Sequence, residues 1–88
     1  MMAINAEQLT HVARLTLQCV TLNDAVKAVR EALPGFRASA VDALDMRGET
    51  PVLRIGDRDL YLMQSDGHCW SVTADPGQAV GLVLTQHM

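Results

Sequence analysis

The sequence predicts an α+β fold in which an N-terminal two-helix hairpin packs on one face of a four- or five-stranded antiparallel sheet. Apolar residues recur at helical spacing up to residue 33, and from residue 36 they alternate as in strands. Because the helices come first and do not alternate with the strands, their order favours an antiparallel meander over a parallel sheet. The 88 residues suffice for one domain, with helices at about 6–19 and 22–33 and the sheet at about 36–85.

The first helix has a clear start signal. Asn5 can accept hydrogen bonds from the first-turn amides, and the Gln8 side chain can reach back to the Asn5 amide, which is a capping-box pattern. Ile4 and Leu9 are placed to pack together across this cap. The helix is predicted from about Ala6 to Cys19.

The second helix begins near Thr21 or Asn23 and ends at Pro34-Gly35. One face carries an apolar stripe of Leu22, Ala25, Val26, Val29 and Leu33. Because the link between the two helices is short, they are expected to fold back on each other.

The segment after the helices is ambiguous. Alternation from Phe36 to Ala40 suits a strand, whereas Ser39 with Asp42 could instead open a short helical turn. The stretch from Asp42 to Thr50 otherwise predicts a loop with a bend at Gly48.

The remaining strands are separated by turn residues. Strands are predicted at Val52–Ile55, Leu60–Gln64, His68–Thr73 and Val80–Thr85, with a turn at Gly56–Asp59. The link Asp75-Pro76-Gly77 is either a turn or a single helical turn capped by Asp75.

The register of the hairpin around Asp66-Gly67 decides which side chains share a face. A two-residue turn would pair Met63 with Trp70 and leave both faces half apolar. A three-residue loop, Ser65 to Gly67, pairs Leu62 with Trp70 and gathers the large apolar groups on one face. A slip of one residue moves every side chain across the sheet, so the sequence predicts the three-residue loop. In the preceding hairpin, Ile55 is predicted to pair with Leu60.

This register defines an inner and an outer face. The inner face would pack against the helices through Leu53, Ile55, Leu60, Leu62, Trp70, Val72, Leu82 and Leu84. The outer face would carry Val52, Arg54, Tyr61, Met63, Cys69, Ser71, Thr73 and Val83. An apolar face of this kind usually marks a contact surface. Three interpretations stay open: cover by the loop at 42–50 or scattered apolar side chains, a surface for a partner or second copy, or a ligand site.

Composition excludes several classes of function. Seven Lys and Arg against ten Asp and Glu give a net charge of −3, and the basic residues are scattered, so no nucleic-acid partner is expected. The longest apolar run, Ala79 to Leu84, is too short to cross a membrane, and the N-terminus shows no secretory signal, so the expected location is the cytoplasm. Cys19 and Cys69 are expected to be free, buried thiols.

Reactive side chains near the hairpin suggest a redox, metal or haem site formed by Met63, His68 and Cys69. The predicted register places Met63 opposite Cys69 but sends His68 to the other face, so a third ligand is missing and His68 cannot readily activate Cys69. The carboxylates Asp57, Asp59, Asp66 and Asp75 are all expected at turns. No enzyme activity, metal or cofactor is therefore predicted. Gly81, inside a strand, indicates a bulge or a close backbone approach.

The last third of the chain resembles a family of small uncharacterised bacterial proteins associated with nitrogen-fixation gene neighbourhoods. The matching residues are Leu60-Tyr61-Leu62, Gly67-His68-Cys69, Thr73, Asp75-Pro76, Ala79 and Gly81-Leu82-Val83. The resemblance implies a bacterial accessory protein and carries over no catalytic residue.

Together these observations predict a small accessory or regulatory protein that binds a protein partner, or a second copy, through the outer sheet face. The predicted contact residues are Val52, Arg54, Tyr61, Met63 and Cys69. If Tyr61 is exposed, Tyr61→Ala should change the free energy of unfolding by no more than about 1 kcal/mol. The alternative is a metal-, haem- or redox-handling protein.

Overall fold

The computed structural model of the protein describes residues 4–67 and 69–86. In this part of the chain, two α-helices are followed by a five-stranded sheet: α1 Ala6–Gln18, α2 Leu22–Ala32, β1 Arg37–Ala40, β2 Leu53–Ile55, β3 Arg58–Ser65, β4 Trp70–Thr73 and β5 Gly81–Gln86. Short 3₁₀ helices at Ala43–Met46 and Pro76–Gln78 lie in the links. The predicted α+β class and N-terminal helix pair are confirmed.

The helix starts follow from local capping chemistry. The Gln8 amide donates to Asn5 Oδ1 at 2.8 Å, and the Asn5 amide donates to Gln8 Oε1 at 2.9 Å, so the predicted capping box forms. For α2, the Asp24 amide donates to Thr21 Oγ1 at 3.1 Å. Of the two predicted starts, the cap is therefore Thr21.

The C-terminal end of α1 is capped by Arg58, a residue from the sheet. Its guanidinium donates to the carbonyl oxygens of Thr16, Cys19 at 2.7 Å and Val20 at 2.8 Å. The last turn of α1 has no basic residue of its own, so Arg58 supplies the positive charge that a helix C-terminus favours. The prediction of a turn extending through residues 58 and 59 is wrong, because both residues lie on β3 and are buried.

The sheet is mixed, so the predicted antiparallel meander is wrong in one pairing. The strand order is β1-β5-β3-β2, and β1 pairs with β5 in parallel, from Arg37 opposite Gly81 to Ala40 opposite Leu84. The strand β5 is the most apolar strand, and its central position buries both of its faces. A strand that is apolar on both faces is stabilised most when it is central. Local periodicity does not specify which strands become neighbours of β5 or in which direction they run.

The long strand β3 organises the rest of the sheet. β2 and β4 lie end to end along one edge of β3, while β5 pairs along the other edge. Leu53 pairs with Leu60, so the β2–β3 register differs by two residues from the predicted Ile55–Leu60 pairing. A slip of two residues preserves the faces, and Leu53 and Ile55 pack against the core as predicted.

The β3–β4 register overturns the prediction of a three-residue loop. Leu62 pairs with Thr73 rather than with Trp70, and Ser65 pairs with Trp70 across a loop of residues 66–69. Two hydrogen bonds between Asp66 and Cys69 close this loop, with Cys69 N to Asp66 Oδ1 at 2.8 Å and Asp66 N to Cys69 O at 3.3 Å.

This register moves Trp70 and Val72 to the outer face. An odd shift inverts every side chain of a strand, so the predicted place of these two residues in the core is wrong. The physical reason is that the helices pack mainly on β1, β2 and β5. A tryptophan on the inner face of β4 would therefore gain little cover.

The core lies between the helices and the inner face of the sheet. Its buried residues come from both helices, from β1, β3 and β5, and from the segments that flank α1, α2 and β5: Ile4, Val12, Ala25, Val26, Val29, Leu33, Ala38, Leu60, Leu62, Ala79, Leu82 and Leu84. The Ile4 amide donates to Pro76 O at 3.1 Å and ties the N-terminal segment to the link before β5.

Candidate functional site

The outer sheet face is divided into a covered half and an open half. The covered half consists of Asp59, Tyr61 and Thr85, whose exposed fractions are 2%, 4% and 0%. The open half begins two residues further along β3, at Met63, and extends to Trp70, which is 44% exposed. Exposure therefore changes sharply within one face of one sheet.

The covered half lies under the crossing segment, which we define as residues 41–52 between β1 and β2. The 3₁₀ helix in this segment contacts β5, and Glu49 is close enough for its charge to act on Tyr61. Asp42 caps the 3₁₀ helix, with the Leu44 amide donating to its Oδ1 at 2.9 Å. The two interpretations of the segment after the helices are therefore both correct, because the strand Arg37–Ala40 is followed by the helical turn Ala43–Met46. The prediction that the loop covers the outer sheet face is confirmed for this half.

A buried carboxylate lies in the covered half. Arg54 Nε donates to Asp59 Oδ1 at 3.0 Å, and the Asp59 side chain is 2% exposed whereas that of Arg54 is 66% exposed. This hydrogen bond and the Asp59 charge raise the pKa of Arg54. Asp59 was expected at a turn, and the structure instead places it inside β3.

Tyr61 is held in its neutral form. Burial is the largest cause of its raised pKa, the Asp59 charge adds to the shift, and the Thr85 hydroxyl and the Arg54 cation oppose it. Thr85 Oγ1 is buried without a hydrogen-bond partner among residues 4–67 and 69–86. The covered half is therefore suited to a structural role, because its polar groups are withdrawn from solvent.

The open half contains an apolar groove, which we call the Trp70 groove. It has a volume of about 290 Å³ and is lined by Arg37, Ser39, Val41, Met63, Trp70, Gly81, Leu82 and Val83. The Arg37 guanidinium lies 5.5 Å from the centre of the Trp70 ring, which is within range of a cation–π interaction. One wall of the groove is therefore a tryptophan held in place by an exposed cation.

Gly81 allows the tryptophan to lie on the sheet. A Cβ at this position would be 3.0 Å from the Arg37 carbonyl oxygen and 3.0 Å from Trp70 Cζ3. Of the two predictions for Gly81, a bulge or a close backbone approach, the second is confirmed by the Arg37 carbonyl oxygen, and the Trp70 ring approaches equally closely. This glycine was the sequence signal that could have placed Trp70 on the outer face.

The predicted contact residues do not form one site. Met63 lines the Trp70 groove, while Tyr61 is buried in the covered half, so its predicted exposure is wrong. Val52 is half-buried and packs against the core, and Arg54 is exposed but paired with Asp59. Cys69 is exposed in the hairpin loop, so it does not lie opposite Met63 as predicted. The sequence patterns did not predict that Arg37, Ser39 and Val41 line the groove in the open half.

The described residues do not bring the suggested metal ligands together. His68 lies outside the described residues, and Met63 pairs with Val72 rather than with Cys69. Within residues 4–67 and 69–86, no three His, Cys, Asp or Glu side chains are grouped to hold a metal ion. Cys19 and Cys69 are free, as predicted, but neither is fully buried: Cys19 is half-buried and Cys69 is exposed. No helix in the same residues is long and apolar enough to cross a membrane.

Comparison of the chain with protein-family models, with curated proteins and with solved structures finds no match. What the site can do therefore follows from its chemistry. An apolar trough with one aromatic wall and one cation beside it is suited to hold an apolar side chain next to a carboxylate.

Proposed function

We propose that this protein is a small cytoplasmic accessory or regulatory module that binds a partner protein through the open half of its outer sheet face. The Trp70 groove is the contact. The observation that carries the proposal is the 44% exposure of Trp70 in a groove that the crossing segment leaves open. The resemblance of residues 60–84 to small bacterial proteins from nitrogen-fixation gene neighbourhoods supports an accessory role.

The groove has the features of a protein-binding anchor point. Tryptophan and arginine are enriched among the residues that contribute most to binding at protein interfaces, and here Arg37 and Trp70 are adjacent. The volume of about 290 Å³ suits one or two side chains of a partner better than a large substrate. The stacked ring and guanidinium are positioned before binding, which lowers the entropy lost on association.

The proposal is tested by capturing partners from a native lysate with the wild-type protein and identifying them by mass spectrometry. Each candidate is then titrated against the purified protein, with the fluorescence of Trp70, the only tryptophan, as the signal. Trp70→Ala should weaken binding about tenfold or more, as expected for an interface anchor. The matched control is Val20→Ala, since Val20 is 90% exposed on a different surface.

Two results would contradict the proposal. One is a partner whose affinity is the same for the wild type and for Trp70→Ala. The other is the recovery of no protein whose capture depends on Trp70. Light scattering of the purified protein identifies the special case in which the partner is a second copy.

A further inference from the structure

The strand β1 supplies two polar side chains to the Trp70 groove. Arg37 and Ser39 are exposed, lie on either side of the buried Ala38, and both line the groove. Side chains two residues apart on a strand share a face and are about 7 Å apart. Neither the Arg37 guanidinium nor the Ser39 hydroxyl has a hydrogen-bond or carboxylate partner among residues 4–67 and 69–86. One side of the groove therefore presents unused hydrogen-bond donors.

The neighbouring strand β5 supplies part of the apolar lining. Gly81 pairs with Arg37 and Val83 pairs with Ser39, so the two rows of the sheet that cross β1 at its polar residues continue into β5. The Trp70 ring lies against Gly81, and Val83 lines the groove two residues further along the same face. Polar donors on β1 and apolar groups beyond β1 therefore meet in a single groove.

The charges of the groove select for one negative group. Among the described residues that line it, Arg37 alone is charged and none is acidic. The chain as a whole carries a net charge of −3. A tract of acidic residues or a nucleic acid would be repelled by the whole chain and would meet only one cation in the groove. One carboxylate beside one apolar group matches this pattern.

The groove also requires the carboxylate and the apolar group to be close together. Arg37 Cζ lies 5.5 Å from the centre of the Trp70 ring, and the volume of about 290 Å³ holds one or two side chains. In an extended segment, adjacent side chains point to opposite faces, so an apolar and an acidic side chain on one face are about 7 Å apart. A C-terminal residue carries its side chain and its carboxylate on the same Cα. It therefore meets both requirements in the smallest space.

We infer that the Trp70 groove binds the C-terminus of the partner protein, through an apolar last residue and its α-carboxylate. The side chain packs against Trp70 and Val83, and the carboxylate accepts hydrogen bonds from the Arg37 guanidinium and the Ser39 hydroxyl. A guanidinium has five N–H donors in its plane, so the cation–π contact with Trp70 leaves donors for the carboxylate. The inference rests on the proposed function, because it names the part of the partner that the groove holds.

The test uses the full chain and the synthetic peptide acetyl-Gly-Ser-Gly-Leu with a free C-terminal carboxylate. The fluorescence of Trp70, the only tryptophan, reports binding. We expect a dissociation constant of about 1 mM for this short ligand. The same peptide with a C-terminal amide should bind about tenfold more weakly, because a charge-assisted hydrogen bond is lost. Replacing the last leucine with glycine should also weaken binding about tenfold, because the apolar contact is removed.

Arg37→Gln separates the carboxylate contact from other effects on the groove. In this variant the free acid and the amide should bind equally, whereas in the wild type they differ about tenfold. Arg37→Lys should keep a preference for the free acid, because it keeps the positive charge. The matched control is Arg14→Gln, which removes an exposed cation from α1 and should leave both affinities unchanged.

Three results of the peptide titrations would overturn the inference. They are equal binding of the amide and the free acid to the wild type, a preference for the acid that survives in Arg37→Gln, and no saturable change of fluorescence up to about 20 mM peptide. Tighter binding of an amidated peptide with an internal leucine and aspartate would overturn it as well.

The proposed function is judged by a separate result. A partner from the lysate whose binding depends on Trp70 but not on its own C-terminal carboxylate supports the proposed function and overturns only this inference. Peptide binding with the expected dependence on the carboxylate and on Arg37, without any Trp70-dependent partner in the lysate, supports this inference and contradicts only the proposed function.

Discussion

The two halves of the outer sheet face are built from the same strands and have opposite environments. Tyr61 and Met63 are two residues apart on β3 and point to the same side, yet Tyr61 is 4% exposed while Met63 lines an open groove. Trp70, beside Met63, is 44% exposed. Strand register decides which face a side chain occupies, but it does not decide whether that face is covered.

Topology explains where the cover lies. The chain leaves β1 next to Ala40, which pairs with Leu84, and enters β2 at Leu53. Leu84 and Leu53 both pair with Leu60, so the exit and the entry are at the same level on opposite edges of the sheet. The helices occupy the inner face, and the crossing segment therefore passes over the outer face at this level. The part of the outer face at Gly81 and Met63 is not covered by this segment.

The largest expected effect is a difference in the free energy of unfolding between a substitution in the covered half and one in the open half. Tyr61→Ala should lower the free energy of unfolding by about 3–4 kcal/mol, because a buried aromatic side chain is removed. Trp70→Ala should lower it by less, about 1–2 kcal/mol, because the ring is nearly half exposed. Urea denaturation followed by circular dichroism measures both. Equal costs for the two substitutions would show that the crossing segment does not cover Tyr61.

The next largest effect on stability is expected at Gly81, which lies against the Trp70 ring in the open half. Gly81→Ala should cost about 1–3 kcal/mol, because the added methyl group is too close to the Arg37 carbonyl and the Trp70 ring. The fluorescence spectrum of Trp70 should shift as the ring is displaced. Gly35→Ala is the matched control, since a Cβ there has no neighbour within 4 Å. If the two substitutions lower the free energy of unfolding by the same small amount, Trp70 does not lie on Gly81.

The smallest expected effect is a dependence of the free energy of unfolding on pH, caused by Tyr61 in the covered half. The pKa of Tyr61 in the folded protein is raised above its ordinary value of 10.0, so the folded state favours the neutral phenol. The contribution of Tyr61 to the free energy of unfolding is complete at a pH below the pKa that Tyr61 has in the unfolded chain. It is lost as the pH rises through the pKa that Tyr61 has in the folded protein. Tyr61→Phe should remove this dependence, as measured by urea denaturation at alkaline pH.

Ultraviolet absorbance reports the titration directly, because Tyr61 is the only tyrosine. Thr85→Val should raise the midpoint further by removing a hydroxyl that stabilises the phenolate. A midpoint at or below that of the unfolded chain would contradict the burial of Tyr61.

Local signals predicted much of the fold. The Asn5–Gln8 capping box follows from neighbours a few residues apart, and the strand at residues 37–40 was one of two interpretations that local alternation allowed. Leu60 and Leu82 lie on the predicted inner face, although the hairpin registers differ from the predicted ones. The candidate site was predicted less well, because only Met63 of the predicted contact residues lines the groove. The position of Trp70 depended on a loop closed by Asp66 and on the absence of helix cover over β4, which hydrophobic segregation alone does not anticipate.

The sequence by itself determined the two helices and the approximate positions of most strands, because capping and side-chain periodicity act over a few residues. At Gly81 it indicated either a bulge or a close backbone approach. Only the tertiary structure decided that β5 lies between β1 and β3, that Arg58 caps a helix about 40 residues earlier, and that the crossing segment covers Tyr61 but not Trp70. These outcomes depend on which distant segments bury one another best, and that competition involves the whole chain.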